Sequence, residues 1–342
     1  MTDVFDHPWL GGLFADPDMA ALWSPDAQLA GMRAFEAAFS RALGNEDAAR
    51  AIDGMAFDMD DLRAGTGRDG VVVPRLVAQM TAAAGDGAAV HKGATSQDVI
   101  DTATALAMRD TLALIDARLA DLEQVLAALN DCFGSRPLMG RTRMQAATPI
   151  TVADRIAPWR LPLADHRARI REARPRIARL QLGGASGDRH DLGGRADGVA
   201  AEVAAALGLE NPPRAWHAMR DGVAEFAGLL SLVSGSLGKM GQDIALMAQQ
   251  GIEEIALTGG GSSSAMAHKQ NPVLAELLVT LARFNATQLA GIHQAMVHEQ
   301  ERSGAAWALE WMILPQMAQA TGRALTVAIT LAGQVKRIGA PE

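Results

Sequence analysis

The segment Thr258 to Pro272, TGGGSSSAMAHKQNP, gathers three glycines, three serines, a histidine, a lysine and an asparagine into one stretch of the chain. Hydroxyl, imidazole and ammonium groups so close together suit proton transfer and the binding of an anion. Gly259, Gly260 and Gly261 carry no Cβ, so the backbone there can take positive φ and move at low steric cost, as a loop closing on a substrate must. Asn271 and Pro272 read as the N-cap and first residue of a helix whose apolar period begins at Val273. The unpaired N–H groups and positive dipole end of that helix would face back into the loop, beside the charge of Lys269. A Gly/Ser linker is the bland alternative, but linkers seldom carry Met, His, Lys and Asn in succession.

Three other segments carry groups of the same kind. Lysine occurs only at positions 92, 239, 269 and 336, and both Lys92 and Lys269 directly follow a histidine. His91 and Lys92 open HKGATSQDVIDTA, where Thr95 and Ser96 suit the cap of a long helix and Asp98 and Asp101 lie near its positive end. That would be a second helix N-terminus able to hold a carboxylate, with simple capping as the plain alternative. Gly140 to Thr151, GRTRMQAATPIT, sets Arg141, Thr142, Arg143 and Gln145 just before a helix starting near Thr151. The two arginines could grip carboxylates in bidentate fashion, against the commoner role of solvated surface charge. His298 to Trp311, HEQERSGAAWALEW, places Glu299, Glu301 and Arg302 where they are expected to pair with one another. Trp307 and Trp311 form an i, i+4 packing pair, which leaves Arg302 and Ser303 as the candidate functional part.

The elements that must position these groups are long helices. Apolar periodicity runs from roughly Asp98 to Phe133, Thr151 to Leu182, Asp221 to Gln250, Val273 to Glu299 and Trp307 to Gln334, each well beyond the ~11 to 12 residues of an average helix. Helices of such length are stabilised by packing together along most of their extent, so a bundle is expected. Phe226, Leu229, Leu230, Leu232, Val233 and Leu237 are apolar on several faces of one helix, which points to burial inside an oligomer. Residues 1–97 hold shorter elements and are expected to form an N-terminal helical domain, with 98–342 as the central bundle. Ser24 and Pro25 look like a cap and first position for a helix ending near Gly44. Gly65 to Gly70, GTGRDG, matches the dinucleotide pattern literally, but it follows an acidic stretch instead of a strand, and the match is read as accidental.

The 342 residues are 49% hydrophobic and 20% charged, with a mean hydropathy of +0.06, an ordinary balance for a globular chain. Formal net charge is −8 and the pI about 5.5, so broad attraction to nucleic acid or an anionic membrane is not expected, and an anionic ligand must meet local positive charge. A single cysteine, Cys132, excludes an intramolecular disulfide and a cysteine-based zinc site, and suits reducing cytoplasm. No charged n-region followed by an apolar core is read at the start of the sequence, and the apolar run Trp311 to Val335 is interrupted by Pro315, Gln316, Gln319 and Arg323, so it reads as a buried bundle helix. Tyrosine is absent and aromatics total 4%, while Ala, Leu and Met are plentiful, which favours helix over sheet.

Taken together, the blocks resemble the signatures of the fumarase/aspartase superfamily. GSSSAMAHKQNP is similar to its signature loop, commonly GSSxMPxKxNP; HKGATSQDVIDTA is similar to its first block; and GRTRMQAATPIT is similar to its second, usually GRTHxQxAxPxT. Their order also agrees, and the likeness extends from the N-terminal helix to about residue 335. Within the superfamily the likeness is strongest to the 3-carboxy-cis,cis-muconate cycloisomerases, which lactonise a tricarboxylate diene in protocatechuate catabolism, and Trp216, His217, Arg220, Asp221 and the HEQERSGAAWALEW segment point the same way. The resemblance implies an all-α, L-aspartase/fumarase-like fold with a long central helical bundle. It further implies a homotetramer whose active sites are shared between chains, and no metal or organic cofactor. Family members usually run longer, so the small C-terminal domain is expected to be missing or reduced.

The resemblance also assigns roles. The catalytic serine of the loop lies six positions before its lysine, which makes it Ser263 relative to Lys269, with Ser264 as the alternative. Ser262 stands at the usual glycine and Ala267 at the usual proline. His91, Thr95, Ser96, Thr142, Arg143, Gln145, His217, Asn271 and Arg302 are expected to bind the small tricarboxylate substrate. Arg143 stands where fumarase-like and adenylosuccinate-lyase-like members carry histidine, and a guanidinium cannot act as a general acid at neutral pH. The reaction is therefore expected to need no acid for its leaving group, as when a lactone opens to a carboxylate of pKa near 4. Adenylosuccinate lyase or another lyase of the superfamily is one alternative activity, and a non-catalytic helical scaffold is another.

Overall fold

The structure, a computed structural model, describes residues 3–85, 90–262 and 270–340. Short helices come first: α1 (Gly11–Phe14), α2 (Pro17–Leu22), α3 (Pro25–Ala42), α4 (Glu46–Gly54), α5 (Met59–Asp69) and α6 (Val73–Ala84). Ser24 Oγ accepts from the Ala27 N–H at 3.1 Å and Pro25 takes the first helical position, as the sequence predicts for α3. The GTGRDG stretch is the end of α5, closed by Gly70 at φ +75, so it is a helix C-cap and no nucleotide loop.

The long helices follow: α7 (Ser96–Phe133), α8 (Val152–Ile177), the shorter α9 (Ala196–Leu207), α10 (Asp221–Met247), α11 (Val273–Ala295) and α12 (Ala305–Gly333). The five long ones begin and end within a few residues of the periodic spans, and the fold is all-α in its core. Two small antiparallel sheets are added at one end. Strands β1 (Pro137–Thr142) and β2 (Gln145–Thr151) make a hairpin joining α7 to α8, and β3 (Ile255–Leu257) pairs with β4 (Val335–Ile338).

Helices α7, α10 and α12 run one way, and α8 and α11 run back. Contacts at the ends fix this direction. Gln97, at the start of α7, donates to the carbonyl of His217 just before α10, and the Trp307 indole near the start of α12 donates to Asp101 at 2.9 Å. At the other end Arg141 of the hairpin pairs with Glu254 after α10, and the Thr258 N–H donates to the Gln334 carbonyl after α12. The bundle thus has a capped end, where α7 starts, and a hairpin end, about 55 Å away by the rise of a helix as long as α7.

Small residues let the helices close on one another. A Cβ on Gly241 of α10 would lie 2.5 Å from the Ala275 carbonyl oxygen and 2.7 Å from Leu278 Cβ of α11. Buried Asn285 of α11 donates through its amide nitrogen to Ser234 of α10 and to Thr321 of α12, at 3.1 and 2.8 Å, which fixes the register of three helices. The N-terminal segment is tied to the middle of α7 by Arg118, whose guanidinium grips buried Asp16 at 2.8 and 3.1 Å. One apolar core runs through both regions, with Phe35, Phe39 and Ile52 joined to Leu112, Leu119 and Leu122.

The close α10–α11 crossing gives a test. Gly241→Val is expected to lower unfolding free energy by roughly 1–3 kcal/mol through overpacking. Gly67→Ala, in a helix interior where a Cβ meets nothing within 4 Å, is expected to raise it by up to about 1 kcal/mol. Urea-unfolding midpoints of the two variants check both signs.

Candidate functional site

At the capped end the helix cap and a glycine turn meet on one carboxylate. Thr95 is the N-cap of α7, with its N–H donating to Asp98 Oδ2 at 3.0 Å, and Ser96 is the first helical residue. Fully buried Asp98 also accepts from the Gly183 N–H at 2.8 Å, the Gly184 N–H at 2.9 Å and His217 Nε2 at 2.8 Å. The carboxylate only accepts, so His217 carries its proton on Nε2. Its Nδ1 is buried without a partner among the described residues. The Gly/Asp-rich loop is therefore held against the α7 N-terminus by hydrogen bonds to one side chain, and His217 is oriented by the same group.

One turn further along α7, Asp101 accepts from Arg220 at 2.7 and 3.2 Å, from Gln97 at 3.0 Å, from Gln181 at 3.1 Å and from Trp307. Arg220 also bonds Glu310 of α12, at 2.9 Å through Nε, and lies over the Trp216 ring. All three charges are buried. Burial alone would push the Asp101 carboxyl up, but the Arg220 charge and hydrogen bonds win and hold it below the usual range. For Glu310 burial dominates and its carboxyl is raised despite Arg220. His298, enclosed beside Glu310, is pushed down by burial and then by Arg220. Arg220 is thus committed to structure.

His91 sits at φ +63, uncommon for a residue with a side chain, and its Nδ1 is 2.5 Å from Oε1 of buried Glu36 on α3. Burial would lower the imidazole's pKa, but the hydrogen bond and charge of Glu36 outweigh it and raise the value above that of an ordinary histidine. Arg302 does not pair with Glu299 or Glu301. It is exposed and donates to the Ala185 carbonyl at 3.2 Å, on the same glycine-rich loop, because that acceptor lies within reach of its planar fork. Ser303 Oγ accepts from the Ala306 N–H and so caps α12. Trp307 and Trp311 meet edge to face at 4.7 Å as expected, but Trp311 is 36% exposed and only Trp307 belongs to the core.

At the hairpin end, Thr142, Arg143, Met144 and Gln145 are all exposed at the tip of the β1–β2 hairpin. Arg143 and Met144 form its two-residue turn at φ +49 and +67, the left-handed pair that a tight hairpin needs. Glycine or asparagine usually fills these positions, so the turn carries strain of the kind concentrated at functional segments. Arg141 is bound to Glu254 at 2.9 Å, which leaves Arg143 as the arginine of the block without an ion pair among the described residues.

Two readings of the signature loop change. Asn271 is not the N-cap of α11. That position is Pro272, at ψ +58, and Asn271 instead exchanges both backbone hydrogen bonds with Gly261, at 2.9 and 3.0 Å. The bridge keeps Asn271 extended and moves the helix start to Val273. Gly259, Gly260 and Gly261 do not adopt positive φ. Glycine is needed there for close approach, since a Cβ would fall 2.9 Å from Gln334, 2.9 Å from Gln270 and 2.5 Å from Val273 in turn. Ser263, Ser264 and Lys269 lie outside the described residues. Gly261 and Asn271, which flank them in the sequence, are paired at the hairpin end.

The candidate residues therefore form two groups. His91, Thr95, Ser96, His217 and Arg302 meet at the capped end, while Thr142, Arg143, Gln145 and Asn271 stand at the hairpin end, about 55 Å off along α7. Glu36 was not singled out in the sequence. Its one signal is a carboxylate set among Phe35, Ala37, Ala38 and Phe39 on the apolar side of a helix.

A family model described as Lyase matches residues 36–328. The chain is 38% identical to a 3-carboxy-cis,cis-muconate cycloisomerase of Pseudomonas aeruginosa over 97% of this chain and 76% of that one. The chain belongs to the fumarase/aspartase superfamily. A crystal structure of 3-carboxy-cis,cis-muconate lactonizing enzyme from Pseudomonas putida superposes with a TM-score of 0.91 at 36% identity, covering 97% of this chain and 77% of that one. The chain is also 31% identical to an N-acetyl-S-(2-succino)cysteine lyase of Enterococcus italicus, over 92% of this chain and 72% of the relative. Relatives with different reactions at these levels mean that superfamily membership alone leaves the substrate to be argued from the site.

In this superfamily member Arg220→Ala would leave Asp101 and Glu310 buried without their cation. It is expected to cost about 3–5 kcal/mol of stability, read from denaturant unfolding at pH 7. Because the folded Asp101 value is lowered, its contribution is present above the ordinary aspartate pKa near 4 and is lost as pH falls through the lowered value. The wild-type advantage over the variant should accordingly shrink in acid.

Proposed function

We propose that the protein interconverts 3-carboxy-cis,cis-muconate and its carboxylactone without a cofactor. The observation that carries this reading is Arg143, a permanent cation exposed at a strained hairpin tip where a general acid would otherwise stand. A reaction that expels hydroxide or an amine needs its leaving group protonated, whereas a lactone opens to a carboxylate that leaves unaided. In the forward direction one substrate carboxylate adds to the diene and charge develops as an enolate next to a second carboxylate. Ser263 delivers a proton to that carbon, with Ser264 as its alternative, and removes it in reverse. Lys269, Asn271 and the α11 N-terminus stabilise the developing charge, a contribution on the order of 3 kcal/mol per good donor. Thr95, Ser96, Thr142, Arg143, Gln145, His217 and Arg302 hold the carboxylates. Relatives of the stated activity at 34–38% identity support the reading.

The site is completed between chains of a homotetramer. Support comes from the two separated groups of candidate residues and from uncovered apolar surface on the bundle. Leu161 and Leu232 are 68% and 51% exposed, and Leu232 borders a groove of about 510 Å³ with Pro158, Pro162, Gly228 and Ser231. Packing against antiparallel copies would cover such a groove and bring a capped end to a hairpin end. A cytoplasmic location suits a lone exposed cysteine and a small anionic substrate. Among the described residues no helix is long and apolar enough to cross a membrane.

Ultraviolet absorbance tests the activity, since lactonisation removes the conjugated diene. Loss of that absorbance is expected with 3-carboxymuconate, and cleavage of adenylosuccinate by the same preparation would overturn the assignment. Ser263→Ala is expected to lower kcat by about 10² to 10⁴, and Lys269→Ala by about 10² to 10³. For the shared site, Ser263→Ala and Arg302→Ala chains, each inactive alone, are expected to recover measurable turnover when co-expressed and purified as a mixed assembly.

A further inference from the structure

The least expected charge arrangement lies just before α7. Glu36 is fully buried on α3 among Phe35, Ala37, Ala38 and Phe39, and one of its oxygens has no hydrogen-bond partner among the described residues. Burying an ionised carboxylate is costly unless a cation meets it, and His91 Nδ1, at 2.5 Å, is its partner. The ring is held in place by more than this contact. His91 takes φ +63, Gly93 follows at φ +89, the Ala94 N–H closes the turn onto the His91 carbonyl at 3.1 Å, and Leu192 and Gly184 pack against Gly93. Only glycine enters that backbone region freely, so a histidine there is strained and its placement is fixed by its surroundings. With Nδ1 turned to Glu36, imidazole geometry puts Nε2 on the opposite edge of a ring that keeps 18% of its surface exposed, four residues before the Thr95 cap.

We propose that Glu36 is a positioning residue that keeps His91 an imidazolium, and that this imidazolium is the fixed cation at the capped end which pairs with one carboxylate of the substrate. The other buried cations there are engaged, Arg220 by Asp101 and Glu310 and Arg189 by the carbonyls of Leu182 and Pro212. Arg302 hangs from an exposed loop carbonyl. The ionisable groups around His91 are Glu36 from α3 and Asp98 from α7, both acidic, with exposed Lys92 as the next residue in the chain. Two carboxylates favour the charged ring against the penalty of burial, and the balance is a raised value. The nature of the bound carboxylate rests on the cycloisomerase reading; the Glu36–His91 pair does not.

The experiment combines a titration with kinetics. Histidine ring signals are followed by NMR against pH in the full-length wild-type protein and in Glu36→Gln, with His91 assigned by its loss in His91→Gln. His91 is expected to titrate above an ordinary histidine in the wild type and below it in Glu36→Gln. With 3-carboxymuconate as substrate, KM of Glu36→Gln should match wild type at pH 5.5 and exceed it by about tenfold at pH 7.5, the change expected from roughly one unit of displaced titration, with kcat little altered. His91→Lys in the Glu36→Gln background, which carries a charge independent of Glu36, should restore KM at pH 7.5. A wild-type His91 that titrates at or below the ordinary value would overturn the proposal, and so would an unchanged KM profile in a variant whose His91 titration has fallen. The wild-type titration needs neither a stable variant nor turnover, so failure of the pair and failure of the cycloisomerase reading are seen separately.

Discussion

The length of α7 governs how this chain can work. Its 38 residues make a stiff rod whose capped N-terminus and hairpin-bearing C-terminus stand about 55 Å apart. Helices α8 and α12 pack along this rod, and α10 and α11 pack on them in turn. The groups suited to carboxylate binding are consequently divided between two ends of one molecule, and no side-chain rearrangement can bring them together. Exposed leucines on α8 and α10 show that the bundle is also unfinished along its flank. A second chain placed antiparallel, as the proposed shared site requires, would meet both needs with a single contact.

The two ends are built on different physical terms. The capped end is dense and charged, with Asp98 and Asp101 each taking four or five hydrogen bonds from three or more separate elements. Such satisfied networks rigidify what they join, and breaking one partner leaves an expensive orphan. The hairpin end is the opposite: Thr142, Arg143 and Gln145 project at a two-residue turn, and Gly261 and Asn271 meet through one backbone bridge. Under the proposed reaction, the rigid half would orient carboxylates and the projecting half would supply protons.

Much of the helical frame was legible because its cues are local. Long apolar periods marked the five bundle helices, and Ser24, Thr95 and Thr151 announced three helix starts by ordinary capping chemistry. The blocks that carry chemistry were legible as clusters of rare groups. What escaped depends on distance in sequence. Glu36 and His91 are 55 positions apart, and nothing near Glu36 says that its carboxylate is buried against an imidazole. The hairpin lacks an Asn-Gly signal because Arg143 and Met144 accept positive φ themselves. Asn271 followed by Pro272 has the form of a cap, yet pairing with Gly261 overrides local preference. The three loop glycines were read as freedom and serve as room for Gln334, Gln270 and Val273.

A crystal structure with a tricarboxylate inhibitor bound tests the shared site most directly. The expected result is one ligand contacted by Thr95 and His91 from one chain, Arg143 from a second and Ser263 or Lys269 from a chain other than the first. A ligand held entirely by one end of a single chain, with no group from the opposite end of a neighbour, would contradict it.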